Sequence, residues 1–164
     1  MSYSQNTPKA STALSRWIED SMSDSLRAKT EFKAIRELVG MTQATLAQKL
    51  DVEVRTVKRW EGLGTAQVPP IEAWTAILEA LDDQRNAIRR SVADADAEQE
   101  VALPYWTSET EYLASSDTGD DGEPSWSMAN ATARAVASAL WATKGIKVRW
   151  VAGNRLSDAG SEVR

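Results

Sequence analysis

Residues 42–61 read TQATLAQKLDVEVRTVKRWE, and the spacing of their apolar side chains predicts two short helices joined by a tight turn. Thr42 is a capping residue for the first, over residues 43–50, which brings Leu46, Ala47 and Leu50 onto one inner face. Asp51 falls at the turn, where a left-handed backbone is expected and an aspartate tolerates it better than a branched residue. Val52 then enters the core. Glu53 is a poor cap for the second helix, on which Val57 and Trp60 lie three apart and face inward. Arg55, Thr56, Lys58 and Arg59 are left outward, with Arg55 and Arg59 one turn apart so that both guanidinium forks point the same way.

A helix pair with exposed cations is also what a merely solvated surface looks like. The upstream spacing narrows the choice. Thr30 is positioned to cap a preceding helix whose inner face is Phe32, Ile35, Leu38 and Val39. From Phe32 the chain runs FKAIRELVGMTQATLAQKLDVEVRTVKRWEG, and this resembles the helix-turn-helix domain of the Cro/phage-repressor (Xre) family over its first three helices. Matching positions are Arg36, the run Gly40, Met41, Thr42 and Gln43, the Leu46 and Ala47 pair, and Glu61 followed by Gly62. The chain departs from that pattern at Asp51, where the family has glycine, and at Glu53, where it has serine or threonine. The resemblance implies that Arg36 pairs with Glu61 and locks the first helix to the third. It also implies that Arg55 and Arg59 read base edges of double-stranded DNA, flanked by Val54 and Thr56. Thr42, Gln43 and Lys58 would meet phosphates or adjacent bases.

Composition bounds the alternatives. The 164 residues contain neither cysteine nor histidine, which removes disulfides, thiolate nucleophiles, the usual zinc sites and histidine-based triads. No motif frames a serine or lysine nucleophile, so the chain is read as a non-enzyme with no metal and no cofactor. No apolar run approaches the roughly 18 residues that span a bilayer, and the N-terminus lacks the apolar core of a signal peptide. A cytoplasmic protein without a membrane partner is expected. The net charge of −5 runs against DNA binding until its distribution is considered. Residues 1–93 carry 13 basic and 12 acidic groups, residues 94–133 none and 10, and residues 134–164 six and two. The acidity is therefore confined to the middle, and a docked helix needs only a local positive surface.

Before the motif, residues 1–10 are polar and expected to be loose. Leu14, Trp17, Ile18 and Met22 predict a packing helix from Thr12, so residues 1–28 form a tail and packing helix. After the motif, the loop LGTAQVPP at residues 63–70 ends in Pro70, which suits a first helical turn. Ile71, Trp74, Ile77, Leu78, Leu81, Ile88 and Val92 then give an apolar stripe longer than a small domain can cover. Its second half is read as a connector or a dimer contact, and residues 29–93 as the DNA-binding domain.

Residues 93–100, rich in alanine, aspartate and glutamate, mark the boundary to a second unit over residues 94–151, with a loose tail at 152–164. Residues 101–106 predict a short strand that Pro104 confines to an edge. Ser108 and Glu111 form a capping box for a short helix carrying Tyr112 and Leu113. Residues 115–124, SSDTGDDGEP, are a loop whose carboxylate spacing does not supply a calcium-binding set. An alanine-dense helix over residues 127–143 carries Met128, Val136, Leu140 and Trp141, and ends at Gly145. Residues 146–151 alternate in the manner of a half-buried strand. Since two short strands are marginal in water, the missing pairing is expected from a second subunit. Trp106, Trp126, Trp141, Ile146, Val148 and Trp150 are the candidate dimer residues. Tyr105, the EYL run at residues 111–113, Trp126, the helix with Arg134 to Leu140, and Gly145 are similar to the C-terminal half of YdiL-like regulators. The anti-CRISPR-associated repressors of phages and mobile elements belong to that group.

The fold class expected is mainly α: a lambda-repressor-like helix-turn-helix bundle plus a small α+β dimerisation domain. The function expected is a homodimeric transcriptional repressor on an inverted repeat. The alternative is an antitoxin-like DNA-binding protein whose C-terminal half holds a protein partner.

Overall fold

The structure of the chain, a computed structural model, describes residues 25–96, 100–115 and 125–153. The helix expected from Thr12, with Leu14, Trp17, Ile18 and Met22, lies outside the described residues. So do residues 116–124 of the acidic loop and the tail beyond Gly153. The described chain is mainly helical, with one two-stranded parallel sheet. Its order is α1 (Ser25–Leu38), α2 (Gln43–Lys49), α3 (Val54–Glu61), α4 (Ile71–Asp94), β1 (Ala102–Tyr105), α5 (Glu109–Ser115), α6 (Trp126–Lys144) and β2 (Arg149–Ala152).

Helix α1 starts five residues before Thr30, so Thr30 is not its cap. The Thr30 hydroxyl instead donates back to the Leu26 carbonyl at 2.9 Å, the in-helix bond open to a threonine. Leu38, expected inside, is 59% exposed. At about 100° per residue, Phe32, Ile35 and Val39 share a stripe while Leu38 falls well off it. The helix ends where Gly40 takes φ +72. There the Gly40 N–H donates to Glu37 O and the Met41 N–H to Arg36 O, both at 3.0 Å, which satisfies the last carbonyls.

Thr42 caps α2, its Oγ1 accepting from the Thr45 N–H at 2.9 Å. Asp51 adopts φ +52 in the turn to α3, as its position between the two helices requires. Glu53 precedes α3 with no side-chain cap. Phe32 lies edge-on between Trp60 at 6.5 Å and Trp74 at 5.2 Å. Around these rings Val39, Met41, Leu46, Ala47, Val57, Ala73 and Ile77 close the first core.

Pro70 stands one residue ahead of α4 rather than within its first turn. Helix α4 is 24 residues long, about 36 Å at 1.5 Å per residue, and serves two cores. Its first half enters the one just described; Ile88 and Val92, further along, pack on Val136, Leu140 and Ile146. The far half of the stripe is thus covered by the chain's own α6, and that half of α4 connects the two cores.

Strands β1 and β2 pair with each other in parallel, Ala102 opposite Arg149 through Tyr105 opposite Ala152. Residues 149–152 thus find one partner strand within the chain, and among the described residues the sheet has two strands. Parallel pairing needs a long crossover, here α5 and α6, and adjacent-strand reasoning does not see it. Strand β2 is also shorter than the alternating stretch, because Ile146 is buried in the second core before the strand begins. At the sheet's exit, Asn130 of α6 holds Trp106: its Oδ1 accepts from Trp106 N–H at 2.9 Å and its Nδ2 donates to Trp106 O at 2.8 Å. Gly145 closes α6 at φ +69. Ahead of α5, Ser108 Oγ accepts from Glu111 N–H, but the Glu111 carboxylate turns to Thr107, accepting from its N–H at 2.8 Å and its hydroxyl at 2.6 Å. The serine half of the capping box is therefore formed as expected, and the carboxylate half is displaced by one residue.

Candidate functional site

The outer side of α3 carries Val54, Arg55, Lys58 and Arg59 exposed, with Thr56 half-buried at its margin. The opposite side is anchored, since Val57 and Trp60 are buried. An eight-residue helix has little stability of its own, so its orientation is set by what grips it. Arg55 is paired with the neighbouring Glu53, whose carboxylate it meets through Nε and, at 3.0 Å, through Nη2. Lys58 and Arg59 make no ion pair among the described residues. That exposed pairing of Arg55 is worth little and is easily exchanged for another anion.

Glu61, the last residue of α3, is where the helix is locked. Arg36 Nε meets Glu61 Oε1 at 2.5 Å and Nη2 meets Oε2 at 3.0 Å, while Nη1 donates to Met41 O at 2.6 Å. Both side chains are almost wholly buried. The two-point geometry matches the guanidinium fork to the carboxylate, and the pair that the resemblance implied is formed. Gln43 joins it, donating from Nε2 to Glu61 Oε2 at 2.8 Å. Thus one Gln43 donor is directed inward, and the residue registers α2 against α3. Thr42 is exposed, with its hydroxyl committed to the α2 cap and to Thr45 Oγ1 at 2.8 Å.

The residues expected at a dimer contact separate into two groups. Ile146 and Val148 belong to the chain's own second core, and Trp106 is half-buried with Tyr112 edge-on at 5.3 Å. Trp126 is half-buried at the start of α6. Trp141 and Trp150 remain open, 55% and 45% exposed. Trp150 meets Tyr105 edge-on at 5.9 Å, and Lys147 Nζ stands 5.4 Å from the Trp141 ring centre.

Two residues of the site went unseen in the sequence. Lys29 is buried against the exit of α3, and Ser127 of α6 donates to Gly40 O at 2.8 Å, joining the C-terminal half to the turn before α2. A lysine and a serine in charged and small-residue helices carry no periodic signal that would have singled them out. Among the described residues no helix is long and apolar enough to cross a membrane. No protein-family model, curated protein or solved structure matches this chain.

Proposed function

We propose that the chain is a sequence-specific regulator of transcription that binds double-stranded DNA through α3, with α2 and α3 acting as a helix-turn-helix. The observation that carries this reading is the asymmetry of α3: three cations on an open face of a helix whose other face packs on α1 and whose last carboxylate is bound by Arg36. A solvated surface helix does not need a buried two-point ion pair to fix its orientation, whereas a helix that must enter a groove does. Arg55 and Arg59 are assigned to base edges, Lys58 and the α2 cap region around Thr42 to phosphates. Gln43 can reach the backbone with whatever hydrogen-bonding capacity Glu61 leaves it.

One reading unit makes few base contacts, so the working form is taken to be a homodimer that sets two α3 helices about 34 Å apart on an inverted repeat. Bound at a promoter, such a dimer represses by excluding polymerase. The open Trp141 and the Tyr105 and Trp150 pair support a protein contact made by the second half. They equally suit the alternative in which that contact is a different protein, as in an antitoxin.

Binding-site selection from random duplexes tests the proposal directly. Enrichment of a two-fold symmetric site is the expected result. Recovery of no preferred sequence at moderate salt would remove α3 from the role of reader.

A further inference from the structure

Lys29 is 3% exposed, and among the described residues its ammonium faces backbone and hydroxyl oxygens. Nζ donates to Gly62 O at 2.6 Å, Thr65 O at 2.6 Å and Thr65 Oγ1 at 2.9 Å, and lies 3.5 Å from Arg59 O. Thr65 Oγ1 in turn donates to Arg59 O and closes the ring of contacts. These oxygens sit at the C-terminal end of α3 and in the turn that leaves it, where helix carbonyls lack internal partners and the dipole favours a cation. Burying an ammonium is costly unless its donors are used, and all three are used here.

Lys29 is one of a row. Lys29, Phe32 and Arg36 recur at helical spacing along α1, and each holds a different part of the end of α3. Lys29 takes the backbone carbonyls, Phe32 the Trp60 ring, and Arg36 the Glu61 carboxylate. We infer that Lys29 is a positioning residue for DNA reading. It clasps the backbone of α3 at Arg59 and the 62–65 turn, and so fixes the angle at which Arg55 and Arg59 present their guanidinium groups. This rests on the reading of α3 as the DNA-binding helix. Lys29 itself touches no nucleic acid, since its ammonium is enclosed.

The test uses the full chain and the duplex that the wild type selects. If the wild type selects none, the reading of α3 fails, whatever Lys29 does. With a selected duplex in hand, Lys29→Met should lower discrimination between that duplex and a scrambled one by about tenfold, within the range one base-edge contact supplies. The dependence of binding on salt should keep its slope, because no phosphate contact is lost. Amide exchange at residues 62–65 should quicken while that of the Phe32 and Ile77 core does not. Lys29→Arg should restore part of the discrimination. Full discrimination in a folded Lys29→Met protein overturns the inference, and so does a slope reduced by about one unit, which would make Lys29 a phosphate contact. Should Lys29→Met fail to fold, Thr65→Val decides: it removes one acceptor of the ring, and wild-type discrimination in that variant also overturns the inference.

Discussion

The Arg36 guanidinium holds the Glu61 carboxylate at two points, 2.5 Å and 3.0 Å, and so binds α1 to the last residue of α3. A buried pair of this kind is weak testimony to net stability, but breaking it leaves a charge without a partner. Arg36→Met should therefore destabilise the fold by about 3–5 kcal/mol, and the double variant Arg36→Met with Glu61→Leu by clearly less. Denaturant unfolding of the three proteins reads the difference directly. A double variant as damaged as the single one would show that the site resists apolar packing.

Gly40 and Gly145 both have positive φ, +72 and +69, yet their surroundings differ. A Cβ on Gly40 would stand 2.4 Å from Ser127 O and 2.6 Å from the Ala131 Cβ, while one on Gly145 meets nothing within 4 Å. Gly145→Ala should carry only the left-handed strain, roughly 1–2 kcal/mol. Gly40→Ala should exceed it, because α6 must move away from the turn before α2. Thermal unfolding of the two variants side by side measures that contact. Equal losses would mean that α6 yields without resistance.

On the outer side of α3, Arg55→Ala and Arg59→Ala should each weaken binding to the selected duplex by about 1–3 kcal/mol and relax preference at particular base pairs. Lys58→Ala should weaken all duplexes evenly and flatten the salt dependence by about one unit of slope. Fluorescence titrations at several salt concentrations distinguish the two behaviours. Wild-type preferences in both arginine variants would contradict the placement of this helix.

Trp141 and Trp150 are open enough to be changed without touching either core. Replacing both with serine should leave the helical content unaltered and convert a sedimenting dimer to a monomer, with operator affinity falling by several kcal/mol as the second half-site is lost. A dimer that survives the double replacement places the self-contact elsewhere.

Hydrogen bonds from the Thr107 hydroxyl, and secondarily from the Thr107 N–H, lower the Glu111 pKa beneath the ordinary carboxylate value. A depressed folded-state pKa means that the contribution to stability is present above the unfolded pKa and disappears as the pH falls through the folded one. Carbon-detected titration of Glu111 should show the depression, and Thr107→Val should move the value back toward normal. An unmoved titration would assign the cap to the backbone N–H alone.

Local signals were legible wherever neighbouring residues decide the outcome. Thr42 before an apolar period, Asp51 between two helices and Gly145 after Lys144 each specify a backbone state through their own chemistry, so these three positions follow from the sequence. The Arg36 and Glu61 partnership was legible only through resemblance, since 25 residues separate the two and no local rule pairs them. Thr30 and Leu38 depart from the local pattern because the helix already begins at Ser25 and its buried stripe is narrower than the run of apolar residues.

The sequence by itself determined that the chain is mainly helical, and where its apolar faces and turns fall, because helical period and capping act within a few residues. Only the tertiary structure decided what those faces meet. It joined β1 to β2 in parallel across α5 and α6, and laid α6 along the far half of α4. It also brought Ser127 to Gly40, 87 residues apart, and enclosed Lys29 among the carbonyl oxygens at the end of α3. Those contacts depend on how whole elements pack and on which buried donors find acceptors, and both are properties of the assembled chain rather than of any one stretch.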